Sequence, residues 1–485
     1  MFRWSGMVIA ALTFILGIAL GWVLAKFPLH SHPLETPKST LAQEILLPPE
    51  VTLGGEEFRW LAVGGGSLPE FNQVSIQQNL QRWSELYRHQ PGQVLASSGG
   101  NTRAVQVLPS IPSYRGLRGL LGDILLPKPG RDTVYQPVAF SEAPAATRAH
   151  LLTALRRSLS ADGPALTLLL TGHGEEGATR KETTFGLWLA DQITVEDLSG
   201  FVDDLKTNRP LRTVVTSCYS GGFADIMFVG GDHQKAPAEP LRCGLFATRH
   251  DRVASGCDPN PDRSVQQGYS KYLLEALAGS IDSTDFDADG RVSLLEAHTA
   301  VRLRSPAADL PTTTSERWLE VVAPSEGPEV DIAWPVEDAL IDALKRRGAH
   351  RVNRKVIEAE IEASDEALER AQIDVDRTWR DLAGPVLARW PELDDPWHPN
   401  FPTALESAEA ALRGLGSLPV SRAYGDALTR QAEALNLRYA AQARLAPLDR
   451  LEQAQRTRRL ARRLAAMGGS KWRRFRQLRA CESSP

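Results

Sequence analysis

The chain has 485 residues, of which 42% are hydrophobic and 24% charged, with a formal net charge of −4. That balance excludes a disordered or low-complexity protein, and the length predicts two or three folded units. Four cysteines (Cys218, Cys243, Cys257 and Cys481) are too few for a disulfide-built scaffold of this size, and the whole-chain charge singles out no partner.

From Trp4 to Ala25 no residue is charged. Twenty-two helical residues would span about 33 Å, enough to cross a bilayer core. Residues 1–26 are therefore expected to form a transmembrane anchor, with Val23-Leu24-Ala25 as an alternative, weak signal-cleavage site. Arg3 ahead of the run predicts a cytoplasmic N-terminus. The remainder would then lie on the non-cytoplasmic side of the membrane as a single-pass protein. Residues 27–57, with Pro28, Pro33, Pro37, Pro48 and Pro49, read as a semi-extended spacer.

Residues 58–328 alternate short apolar runs with helical patterns. Val74, Leu80, Trp83 and Leu86 recur at helical spacing within Phe71–Tyr87, and further helices are expected at His150–Leu159 and Val195–Leu205. Residues 104–148 are rich in Gly and Pro and are expected to be irregular. The run Leu166–Leu170 ends in Thr171-Gly172-His173-Gly174, and a later one ends in Thr216-Ser217-Cys218-Tyr219-Ser220-Gly221-Gly222. Both read as buried parallel strands, so the expected fold is α/β, a mostly parallel sheet with helices on both faces.

Ligands gather beyond the carboxyl ends of such strands, where His173 and Cys218 would emerge together. A thiol is mostly protonated at neutral pH, and a nearby imidazole can take its proton and return it to a leaving amine. The amides of Gly174 and Cys218 are candidates to hold the oxyanion. The bland alternative is a buried inert thiol and a histidine satisfied by its neighbours.

The His-Gly pair, the Ser-Cys-Tyr-Ser-Gly box and the opening Trp60-Leu61-Ala62-Val63-Gly64-Gly65-Gly66-Ser67 resemble the caspase–legumain clan of cysteine peptidases, and most closely its bacterial legumain-like members. The resemblance covers roughly residues 58–325, with little to align between about 95 and 150. It implies a caspase-like sheet, a protein or peptide substrate, and a Cys218–His173 dyad. Thr216-Ser217 replaces the Gln-Ala of caspases, which leaves aspartate specificity without support. In the clan, segments after the nucleophile strand help build the cleft. On that basis Asp258 or Asp262 could attract a basic substrate side chain; their other reading is turn chemistry beside proline.

Asp285-Phe286-Asp287-Ala288-Asp289-Gly290-Arg291-Val292-Ser293-Leu294-Leu295-Glu296 matches the twelve-residue calcium loop. Asp285, Asp287, Asp289, Ser293 and Glu296 would offer side-chain oxygens, and Arg291 its carbonyl. Such a loop in an exported protein reads as a structural Ca²⁺ brace; otherwise it is an acidic loop capping the next helix. Cys243 and Cys257 could pair if the domain is exported, or both stay free.

Residues 329–485 are expected to be helical. Ile357, Ile361, Ser364, Leu368, Ala371 and Val375 follow a coiled-coil or bundle seam. The pattern breaks at Trp390–Pro402 and resumes from Ala404 to Ala466 with an interruption near 414–419, which predicts a small hairpin or bundle. Between Arg450 and Ala480 lie ten Arg and one Lys against one acid, Glu452. That stretch could bind an anionic lipid surface or an acidic partner, cover an acidic cleft as an inhibitory segment, or simply be a solvated face. Nucleic acid is disfavoured for an exported domain. Three functions compete: a cysteine endopeptidase, a catalytically inactive scaffold, and a calcium-dependent interaction module.

Overall fold

Runs of apolar residues bounded by Gly and Pro form the strands. The computed structural model describes residues 59–109, 133–160, 162–281, 284–394, 398–412 and 418–483, all within one compact unit. The expected anchor (1–26) and spacer (27–57) lie outside the described residues, among which no helix is long and apolar enough to cross a membrane.

Strands, in chain order, are β1 (Trp60–Gly65), β2 (Gly92–Ala96), β3 (Arg103–Val107), β4 (Val134–Pro137), β5 (Leu166–Gly172), β6 (Gly174–Glu175), β7 (Thr184–Leu187), β8 (Asp191–Thr194), β9 (Leu211–Val215), β10 (Arg242–Phe246) and β11 (Thr312–Thr313). Six form the central sheet in the order β11-β10-β9-β5-β1-β2, parallel except for the antiparallel pair β10–β11. The expected α/β fold with a mostly parallel sheet is thus present. β6, β7 and β8 form a small antiparallel sheet. Within the stretch expected to be irregular, β3 and β4 pair as a ribbon.

Alternation along each strand divides the core between the two faces. Leu168 and Leu170 join α2 (Arg148–Leu159) and α3 (Val195–Asp204) in one cluster with Leu155 and Leu198. The intervening Leu169 joins α1 (Val74–Leu86), α4 (Tyr269–Leu277) and α5 (Leu294–Arg304) on the other, with Trp83 and Leu273. Helices therefore cover both faces. Each fully buried leucine contributes roughly 1.5–3 kcal/mol. α6 (Thr314–Val322) follows β11.

Beyond α7 (Pro335–Arg346), α8 (Arg354–Arg389) packs along α10 (Pro419–Met467), with α9 (Phe401–Leu412) between them in sequence. The expected seam is present in α8, where Ile357, Ser364, Ala371 and Thr378 are buried at intervals of seven. Ala427, Ala434, Ala441 and Leu448 repeat the interval in α10. Small residues at these positions let two helix backbones approach closely.

α11 (Gly469–Ser483) returns to the sheet domain. Its Phe475 and Leu478 are buried with Trp318 and Trp334, and Cys481 forms a disulfide with Cys243 of β10. This corrects the cysteine expectation, under which Cys243 either paired with Cys257 or stayed free. Cys243 lies in mid-strand under α11, whereas Cys257 is an exposed loop thiol. Part of the basic stretch is paired within the fold, while Arg456, Arg459, Arg473 and Arg476 are exposed. Arg458, Arg462, Arg463, Arg474 and Arg479 pair with Asp338, Asp331, Glu329, Glu239 and Glu337 respectively.

Candidate active site

Register brings His173 and Cys218 to one edge. β5 and β9 are adjacent and parallel, Leu170 pairing with Val215, and Thr216 donates its N–H to Leu170 O at 2.9 Å. Each chain leaves its strand within three residues of that rung, so both residues emerge side by side at the carboxyl end of the sheet. Gly174 is pressed against this junction. A Cβ there would lie 2.7 Å from Cys218 O, 2.7 Å from Ser217 Oγ and 2.8 Å from Thr184 O, so only glycine fits. Ser217 Oγ is buried with no hydrogen-bond partner among the described residues.

Gln73, at the start of α1, orients the imidazole. Its Nε2 donates to Glu70 O at 3.2 Å, which turns Oε1 toward His173 Nε2, 2.9 Å away. Oε1 can only accept, so that nitrogen carries the proton. The ring also meets the Phe71 ring edge-on, with centroids 5.8 Å apart. Burial pushes the His173 pKa down, outweighing the opposing influence of the Phe71 main chain and of nearby Glu175, so the neutral imidazole prevails.

Cys218 is held by Ala254. Its thiol donates to Ala254 O at 3.6 Å and accepts the Ala254 N–H at 3.3 Å. Burial pushes the thiol up to about 12, with smaller contributions from Cys257 and Asp309 in the same direction. Cys257 Sγ lies 3.7 Å from the carbonyl of Gly172, the residue before His173. Tyr219 adopts the left-handed conformation (φ 56°), uncommon outside glycine and frequent at functional turns. Its N–H donates to Arg252 O at 2.8 Å. Among the described hydrogen bonds none joins His173 to Cys218. The resting arrangement is a neutral thiol beside a neutral imidazole, each restrained by other partners.

Asp258 and Asp262 serve local turns. Asp258 Oδ1 accepts the Asn260 N–H at 2.8 Å, and Asp262 Oδ1 accepts from Ser264 N and Oγ at 2.9 and 2.7 Å.

In the acidic loop, ligand atoms of Asp285, Asp287 and Asp289 lie within 4.8 Å of one another. Loop amides orient them: Gly290 N–H donates to Asp285 Oδ2 at 2.9 Å and Arg291 N–H to Asp289 Oδ1 at 2.8 Å. Gly290, at φ +85°, makes the required turn. Glu296 Oε1 accepts from Phe286 and Asp287 amides at 2.7 and 3.2 Å, while Oε2 and Ser293 form the capping box of α5. Burial and the Glu296 charge push the Asp287 carboxyl up. A hard divalent cation would relieve that repulsion, and these oxygens suit one.

Gln73 carries no recognisable spacing signal; only the fold of the first loop brings it to His173. Likewise Ala254 is ordinary in sequence and reaches Cys218 only through the path of its loop. No protein-family model matches this chain, and no curated protein matches it.

Proposed function

We propose that this protein is a caspase–legumain-type cysteine endopeptidase. Residues 1–26 would hold it at the outer face of a bacterial cytoplasmic membrane, and calcium would brace it. The observation that supports this most is the emergence of His173 and Cys218 from adjacent parallel strands, with Gly174 packed against the Cys218 carbonyl. Substrate draws the His173 ring from Gln73 toward the thiol, since catalytic hydrogen bonds often tighten only in the complex. Cys218 Sγ then attacks the scissile carbonyl carbon and its proton passes to the unprotonated Nδ1 of His173. The amides of Gly174 and Cys218 hold the oxyanion. His173 gives the proton to the leaving amine, and a water activated by the same imidazole hydrolyses the thioester.

Asp285, Asp287, Asp289 and Glu296, with the Arg291 carbonyl and Ser293, would hold the ion, whose part is to neutralise the loop ahead of α5. A disulfide between Cys243 and Cys481 agrees with an exported domain, because disulfides persist in oxidising compartments. Nothing in Asp258 or Asp262 favours a particular substrate side chain.

The second reading, an inactive scaffold, rests on the raised thiol and the absence of a His173–Cys218 bond among the described contacts. Treating the full chain in calcium with a panel of peptide electrophiles and mapping adducts by mass spectrometry separates the two. The peptidase reading expects labelling at Cys218 that His173→Ala abolishes and Gln73→Ala weakens. No adduct at Cys218 with any peptide favours the scaffold.

A further inference from the structure

A buried arginine of the C-terminal hairpin ties that region to the loops around Cys218. Arg450, in α10, is 2% exposed, and all five of its N–H donors are taken by main-chain carbonyls. Nε donates to Asp309 O at 3.0 Å, and Nη2 to Asp309 O at 2.8 Å and Ala307 O at 2.6 Å. Nη1 donates to Arg302 O at 3.2 Å and Ser305 O at 2.8 Å. A buried guanidinium so fully committed specifies the path of residues 302–309, because any other path strands the charge or the carbonyls.

That path delivers the Asp309 side chain to the site. Asp309 is 3% exposed, and its Oδ1 accepts from Ser255 N and Oγ at 3.0 and 3.2 Å. Ser255 follows Ala254, whose N–H and carbonyl both engage Cys218 Sγ. Adjacent residues of α10 make parallel connections. Asp449 pairs with Arg252 at 3.6 Å, and the Arg252 carbonyl receives the Tyr219 N–H. Gln453 Nε2 donates to Pro311 O at 3.1 Å. The helix thus reaches the two residues at the turn after β9 by two routes.

We propose that Arg450 is a positioning residue for Cys218, acting through Asp309 and Ser255, so that the C-terminal hairpin is a required part of the site and not a removable inhibitory segment. The catalytic half of this inference rests on the peptidase reading; the mechanical half does not. Lysine at 450 has three donors on a flexible stem and cannot reproduce the five-bond fork. Removing the Asp309 side chain breaks the chain of contacts at its second link and leaves Arg450 in place.

The test uses the full chain with Arg450→Lys, Asp309→Ala and the double variant. Hydrogen exchange of peptides covering Tyr219 and Ser255 reads the mechanical link, and inactivation by the best peptide electrophile reads the catalytic one. Either single variant is expected to accelerate exchange at both peptides. Each should also lower kinact about tenfold while KI stays within about twofold, the signature of a misplaced nucleophile. The double variant should lose no more than the worse single one, because the two residues act in series. Unchanged exchange in folded single variants, or additive losses in the double, overturns the proposal. Should Arg450→Lys fail to fold, Asp309→Ala with native exchange and native kinact overturns it alone. Should the wild-type chain never label, the peptidase reading falls, and exchange still decides whether Arg450 sets the Cys218 loops.

Discussion

Removing the Cys243–Cys481 disulfide offers a quantitative check on how the C-terminal helix is fastened. The link joins residues 238 apart in sequence. Loop-closure entropy for that separation amounts to about 18 cal/mol/K, or about 5.5 kcal/mol at 25 °C. The folded state keeps other attachments. Arg212 Nε donates to Cys481 O at 2.7 Å, Trp318 Nε1 to Lys471 O at 3.0 Å, and Thr314 Oγ1 to Glu482 Oε1 at 2.6 Å. Cys481→Ser should therefore leave α11 docked and act mainly by freeing the unfolded chain. Measured disulfide effects fall below the entropic figure, so the expected loss is about 3–5 kcal/mol. Chemical denaturation followed by tryptophan fluorescence, with and without reductant, provides the assay. Reduced wild type should fall to the midpoint of the variant, and the variant should ignore reductant. Equal midpoints for oxidised wild type and Cys481→Ser would show that this link does not constrain the chain and refute the reasoning.

In the protein without substrate, Cys218 is expected to react with iodoacetamide at a rate that climbs with pH from 7 to 10 without levelling, since burial pushes the thiol up to about 12. A plateau already present near neutral pH would mean a preformed thiolate–imidazolium pair and contradict the described geometry. For the acidic loop, calcium at about ten to a hundred times its dissociation constant should stabilise the fold by roughly 1.4–2.7 kcal/mol. Because the Asp287 carboxyl is pushed up, the metal-free loop contributes stability below the ordinary carboxylate range and loses it as pH rises through its folded value. The calcium-dependent rise in Tm should consequently be larger at pH 7.5 than at pH 4.5 and be largely lost in Asp287→Asn. A rise equal at both pH values, or unchanged in the variant, excludes these carboxylates as the ligands.

Local patterning determined much of this protein by itself. Short apolar runs and the helical periods between them carry β1, β5 and β9 and the helices α1, α2 and α3, because period two and period 3.6 are properties of the backbone that hydrophobic burial simply selects. The acidic loop was equally legible, since its oxygens and its glycine lie within twelve consecutive residues. The heptad spacing of α8 announced a seam for the same reason. The ribbon of β3 and β4 leaves no local signal, because its strands are four or five residues long and 26 residues separate them. Tertiary structure alone decided which distant groups meet. Gln73 reaches His173 across 100 residues, Cys243 reaches Cys481 across 238, and Arg450 reaches Asp309 across 141. It also decided the protonation of the site, for a thiol and an imidazole have ordinary affinities for protons until burial removes the water around them. Sequence spacing determines what neighbouring residues can do; desolvation and long-range contact arise only once the sheet has brought the loops together.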